Sequence, residues 1–192
     1  MLFSPEDSKK TQFEIISIIE QERQTETLLL QSKKQLPNLE KSKQIFFLTK
    51  QNFKFIDILD FCINQMDKPD LYFMSYAIGS NAIAKILNLK RKEKLGNIYA
   101  YISVRVLKNS KDAYELLVAQ AVQVKLARIH AKVYVLKDKN RTFTIQASAN
   151  CTDKNSNVEQ YQISNSEDLA NFNINFITSE INFYGIKRKN QK

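Results

Sequence analysis

Apolar positions along the chain recur with two periods, and the switches between them outline its elements. Leu71 to Ile78 is a near-continuous apolar run bounded by Pro69 and Gly79, the pattern of a strand buried on both faces. Gly79-Ser80-Asn81 leads into a helix expected over 82–94, which Gly96 closes. A second strand is expected over 98–107, with Tyr99, Tyr101, Val104 and Val106, and a second helix over 112–121. Two alternating runs follow, 124–136 and 142–150. The turn-like Lys-Asp-Lys-Asn-Arg between them is short enough to make them adjacent and antiparallel. A last helix is expected over 167–183. Strands alternating with helices in this order imply an α/β fold, a mixed β-sheet sandwiched by helices.

Upstream, Ser4-Pro5-Glu6-Asp7 has the chemistry of a helix start: a capping hydroxyl, proline in the first turn, and carboxylates near the positive end of the dipole. A helix is expected to about residue 34, its apolar residues Phe13 to Ile19 and Leu28 to Leu30 separated by the polar block 21–26. Pro37-Asn38 breaks the pattern. A short strand at 45–48 and a helix over 52–66, with Phe53, Ile56, Leu59 or Phe61, and Ile63 toward a core, complete the reading. The expected organisation is a helical N-terminal segment over 1–50 and one α/β domain over 51–192, with no internal repeat.

Composition narrows the class. With 192 residues, 43% of them hydrophobic, and only Gly 3 and Pro 3, the chain is long enough for one domain with a proper core. No apolar stretch approaches the roughly 18 residues of a membrane span, and the first residues lack a basic-then-apolar leader, so a cytoplasmic protein without membrane contact is expected. Cys62 and Cys151 show no metal-ligand spacing and no disulfide framework, which fits a reducing compartment and argues against zinc. Cys151 reads as a small buried apolar residue.

The net charge of +9 is uneven. Residues 1–70 hold 10 Lys or Arg against 11 Asp or Glu, leaving 19 basic and 9 acidic residues in 71–192. Lys90, Arg91 and Lys92 form one cluster, and Lys137, Lys139 and Arg141 another, in the turn beside the candidate chemistry described next. A polyanion, DNA or RNA, is the simplest partner, because each phosphate contact releases counterions. No base-reading motif is visible, so backbone recognition is expected.

His130 is the chain's single histidine. Around it stand Lys132, then Ala-Ser-Ala-Asn at 147–150, then Glu159. Neutral imidazole attacks phosphorus without a separate base to deprotonate it first. Lys132 supplies a point charge, and Ser148 and Asn150 supply neutral donors for the oxygens of a phosphodiester. Glu159 is expected to accept a hydrogen bond from the far ring nitrogen of His130, fixing its tautomer. In an extended run His130, Lys132 and Tyr134 share one face, and in the next run Thr144, Gln146, Ser148 and Asn150 do so, so two strands would present one polar cluster.

The stretch RIHAKVYVLKDKNRTFTIQASANCTDKNSNVE resembles the H-x-K…G-S-x-N…E signature of the phospholipase D superfamily. That resemblance implies a phospholipase D-like sandwich and cleavage of phosphodiesters through a phosphohistidine, with no metal and no cofactor. It also implies a homodimer, since such a sandwich carries one motif and the reaction uses two histidines. The catalytic residues it assigns are His130, Lys132, Ser148, Asn150 and Glu159. Two positions depart from the usual pattern. Position 137 is Lys where the pattern has Asp, with Asp138 one residue later and so on the other face, as a turn residue. Ala147 replaces the Gly before the Ser. The functional expectation is a metal-independent nuclease cleaving DNA or RNA. The alternatives are a non-catalytic nucleic-acid-binding protein on the same fold and, ranked lower, a phospholipid phosphodiesterase.

Overall fold

A computed structural model describes residues 24–30, 39–41, 43–49, 54–120, 122–152 and 158–189, with backbone alone at 24–30 and 182–189. The strands are β1 (Gln24–Leu30), β2 (Lys43–Thr49), β3 (Asp70–Ser75), β4 (Ile98–Ser103), β5 (Gln123–Ala127), β6 (Val133–Lys137), β7 (Thr142–Ala147) and β8 (Glu159–Ser164). The helices are α1 (Phe55–Ile63), α2 (Ser80–Arg91), α3 (Val106–Asn109), α4 (Lys111–Ala119) and α5 (Glu167–Lys189). All eight strands join one mixed sheet in the order β1-β2-β8-β7-β6-β3-β4-β5. β3, β4 and β5 run parallel, whereas β6, β7 and β8 alternate in direction from β3 outward.

The apolar patterns explain the layers. Leu71 and Phe73 of β3, Ala100 and Ile102 of β4, Tyr134 and Leu136 of β6, and Phe143 and Ile145 of β7 share one face and are fully buried. They meet Phe55, Ile58 and Leu59 of α1 and Ile83 and Ile86 of α2 in the main core. The Phe55 ring lies 3.9 Å from that of Tyr134. On the opposite face Met74, Tyr101 and Val133 pack against Ile177 and Ile181 of α5. The central strands are therefore apolar on both faces, as a helix-sheet-helix sandwich requires.

The mixed sheet between helical layers is as expected, and the helix over 52–66 is present as α1. Its Ile56, Leu59 and Ile63 are buried and Phe61 partly so; Phe53 lies outside the described residues. Helix ends shift by a few residues, and four larger differences bear on the sheet and the site. Residues 24–30, expected inside a long helix, form β1, which pairs in parallel with β2 from Gln24↔Lys43 to Leu30↔Thr49. Thr25 in the polar block and Thr27 just after it favour an extended chain, and the ladder satisfies an edge of β2 that a helix would leave unpaired. The rest of that expected helix falls outside the described residues. β3 and β4 end at Ser75 and Ser103, earlier than the apolar runs, and the chain then turns into Tyr76-Ala77 and Val104-Arg105. The run 142–150 is a strand only to Ala147.

The fourth difference matters most. The run 124–136 is two strands in separate places: β5 on the sheet's edge beside β4, and β6 in its middle beside β3. Residues 128–132 carry the chain between them, across the C-terminal ends of β4 and β3. Alternation that continues through the connector made two strands read as one.

Candidate active site at one end of the sheet

Strand directions decide what meets at that end. β3 and β4 arrive there, β6 departs, β7 arrives and β8 departs, as the register pairs Met74↔Val133, Val133↔Gln146 and Ala147↔Tyr161 require. Residues 75–77, 103–105, 128–132, 148–151 and Glu159 therefore gather in one place. Backbone bonds tie the segments together. Gly79 N–H donates to the Cys151 carbonyl at 2.8 Å, Ala147 N–H to that of Lys132 at 3.1 Å, Ser148 N–H to that of Gln160 at 3.0 Å and Val104 N–H to that of Ala127 at 2.9 Å.

A buried polar knot supports this end from below. Ser75 Oγ donates to the Ala77 carbonyl at 2.7 Å, accepts from Cys151 N–H at 3.2 Å, and lies 3.3 Å from the Tyr134 hydroxyl. Tyr134 is fully buried, and desolvation holds its phenol well above the ordinary tyrosine range, so it stays neutral.

The five expected residues all come to this end. Asn150 Oδ1 accepts from Ala77 N–H at 3.2 Å, which fixes the amide and leaves Nδ2 as a donor. Ser148 Oγ accepts from Gln160 N–H at 2.9 Å and donates to Glu159 Oε2. Lys132 Nζ donates to the His130 carbonyl at 3.0 Å and stands 3.4 Å from Nδ1 of the same residue. Burial lowers the Lys132 ammonium below the ordinary lysine range, and the Glu159 carboxylate partly offsets this. His130 is exposed.

Two expectations about this cluster are corrected. His130 and Lys132 lie on the connector before β6, and Ser148 and Asn150 follow β7, so the cluster is built at strand ends rather than on a strand face. Tyr134, expected beside His130 and Lys132, points into the core instead. Glu159 engages Ser148 rather than His130, because it opens β8 directly beside the end of β7.

Two further residues adjoin the cluster. The Tyr76 ring lies 4.5 Å from the His130 ring at 51°, and Lys132 Nζ stands 5.6 Å from the Tyr76 centroid. Arg105 Nη1 donates to the Tyr76 hydroxyl at 2.5 Å. Periodicity counts Tyr76 inside the apolar run, and nothing in the motif singles out Arg105. The available signal is position: Tyr76 and Arg105 stand one and two residues past the C-terminal ends of parallel strands, where open α/β sheets hold ligands.

The basic clusters do not lie at this end. β6 carries Lys137 about 16 Å away from it, so Lys137, Lys139 and Arg141 sit at the opposite end of the sheet, not beside the motif. α2 starts near Cys151 and runs back to finish at Lys90, Arg91 and Lys92, beside the start of β3. Lys137 is engaged there, donating to Asn171 Oδ1 at 2.7 Å, and Arg141 Nη1 donates to the Gln65 carbonyl at 3.0 Å. Asp138 is the turn residue expected, accepting from the N–H groups of Asn140 and Arg141 at 2.7 Å and of Asp67 at 2.8 Å. Ala147 packs against the main core, so its methyl group is accommodated where the usual pattern has Gly.

No family model matches the chain, and no curated protein sequence matches it. Among solved structures, Nuc from Salmonella typhimurium, a phospholipase D family member, superposes with a TM-score of 0.55 at 17% identity, covering 72% of this chain and 95% of Nuc. Polyphosphate kinase from Porphyromonas gingivalis gives 0.45 at 10% identity, over 74% of this chain and 25% of the kinase. TrmBL2, an archaeal chromatin protein, gives 0.46 at 8% identity, over 95% of this chain and 62% of TrmBL2. Both are too distant to bear on the fold. With the sheet, its helical layers and the match to Nuc along nearly all of that chain, this protein has the phospholipase D-like fold.

Proposed function

We propose that the protein is a metal-independent phosphodiesterase, a nuclease that cleaves the backbone of DNA or RNA at a site shared by two copies of the chain. The observation that carries this reading is the arrival of His130 and Lys132 from the β5–β6 connection, and of Ser148, Asn150 and Glu159 from the two ends of the β7–β8 connection, at one end of the sheet. A fold shared with a phospholipase D family member supports the reaction class. The chain's positive charge supports a polyanionic substrate.

In this reading a neutral imidazole of His130 attacks phosphorus and a P–N bond forms as the P–O bond to the leaving group breaks. The partner subunit's His130, protonated, gives its proton to the departing oxygen. That same imidazole, now neutral, takes a proton from water, whose oxygen displaces the phosphohistidine and restores both rings. The Lys132 ammonium and the Asn150 amide hold the phosphoryl oxygens as charge builds on them, and Ser148 joins them when its single hydroxyl proton turns from Glu159 to the substrate. Glu159 orients the Ser148 hydroxyl and favours the charged form of Lys132 against the effect of burial.

Incubation of the purified protein with single- and double-stranded DNA and RNA in excess chelator tests the proposal. Cleavage should persist with chelator and fall to background in His130→Ala. An absolute need for a divalent cation would overturn the mechanism. Salt-sensitive binding without cleavage would leave a non-catalytic nucleic-acid-binding protein.

A further inference from the structure

The side chains beside His130 include a cation that the five-residue cluster does not use. Arg105 leaves the end of β4 on a turn in which its own N–H donates to Ser103 Oγ at 3.3 Å. Its guanidinium reaches across to β3, where Nη1 donates to the Tyr76 hydroxyl and the carbon centre stands 5.5 Å from the Tyr76 centroid. Arg105 is exposed, and no carboxylate among the described residues pairs with it. Of its five N–H donors, the phenol takes one edge. The rest of the fork has no partner among the described residues.

Tyr76 thus links two groups. It meets the His130 ring and stands near Lys132 on one side, and it anchors Arg105 on the other. Along the end of the sheet the order is β8 and β7 with Glu159, Ser148 and Asn150, then β6 with Lys132, β3 with Tyr76 and β4 with Arg105. β4 lies two strand spacings from β6, about 10 Å, and the Arg105 guanidinium bridges part of that gap to Tyr76 on β3, so it approaches the phosphorus that His130 would attack from the β4 side. A guanidinium fork held there by Tyr76, apart from Lys132 and the β7 donors, suits a phosphate other than the reacting one.

We propose that Arg105, positioned by Tyr76, forms a second phosphate subsite that takes the phosphodiester next to the scissile one in a polynucleotide. This rests on the nuclease reading above and deepens it. A substrate with a flanking phosphate gains a contact that a lone diester does not. The subsite puts a further cation at the end of the sheet that holds the chemistry, whereas the clusters at 90–92 and 137–141 lie a strand's length away.

The test compares two substrates and one binding measurement. Arg105→Ala should lower kcat/KM for a short oligonucleotide at least about 10-fold more than for bis(p-nitrophenyl) phosphate, which has a single phosphate. Arg105→Lys should recover only part of that difference, because the ammonium lacks the fork. Equal losses on both substrates would overturn the subsite. The binding arm uses His130→Ala protein, which should not turn over the ligand. There Arg105→Ala should reduce the slope of log affinity against log salt for an oligonucleotide by about one, and Tyr76→Phe by a smaller amount. An unchanged slope in Arg105→Ala overturns the proposal. If the wild-type chain cleaves neither substrate, the nuclease reading falls and the slope alone decides the subsite.

Discussion

Asn150 uses its two amide ends for two purposes, and a single substitution separates them. Its Oδ1 holds the turn after β3 by accepting from Ala77 N–H, while Nδ2 remains as a donor at the site. Asn150→Asp keeps the acceptor, so the melting temperature should stay within a few degrees. It removes the donor and sets a negative charge beside a phosphate, so turnover should fall about 100-fold or more. A stable variant with near wild-type rate would remove Asn150 from the chemistry. Lys132 offers a second test. Burial lowers its ammonium and Glu159 works against that, so neutral Glu159→Gln should lower it further still. Titration of the isotope-labelled Lys132 side chain should show the midpoint moving down; a midpoint that rises or stays would mean Glu159 does not act on it. Residue identities at the site were legible because His130 is unique and its companions stand in a recognisable order. Their partners were not, since the pairing of Glu159 with Ser148 depends on β8 opening beside the end of β7.

At the level of elements, periodicity located strands well where both faces are apolar and poorly where a connector keeps the alternation. Leu71 to Ser75 and Ile98 to Ser103 were visible as runs, and α1, α2 and α4 as amphipathic stretches bounded by turn residues. The 128–132 connector was invisible, because nothing local distinguishes a chain crossing strand ends from one continuing a strand. β7 and β8 hold another feature that alternation misreads. Thr144 and Ser164 are directly opposed across the two strands, both buried, and neither hydroxyl has a hydrogen-bond partner among the described residues. Alternation placed Thr144 on a polar face, whereas α5 packs against the sheet near β7. A buried hydroxyl without a partner is destabilising relative to a methyl group of similar size. Thr144→Val should therefore stabilise the protein by about 1 kcal/mol, read as a rise of roughly 2–4 °C in melting temperature. A fall of that size would reveal a partner for the hydroxyl.

For the molecule as a whole, the count of charges was legible but their placement was not. The excess of basic residues after residue 70 is real, yet strand and helix directions send its two central clusters to the end of the sheet away from His130. No helix among the described residues is long and apolar enough to cross a membrane. The proposed reaction sets a stricter condition on the assembly. One chain holds one histidine, and the chemistry calls for an attacking imidazole and a protonated one at the same moment, so each working site must combine His130 with the partner subunit's His130 across a two-fold axis. His130 is exposed on the end of the sheet, where a second copy is able to reach it. Mixing wild-type chains with excess His130→Ala chains under conditions of subunit exchange gives mixed dimers with one imidazole each. These should be inactive or stop at the covalent intermediate, so activity per wild-type chain should fall as mutant is added, with labelled phosphate retained on protein if the first step still occurs. Constant activity per wild-type chain with exchange confirmed, or full activity from a strict monomer, would mean that a single His130 suffices and that the proton for the leaving group comes from another residue of the same chain.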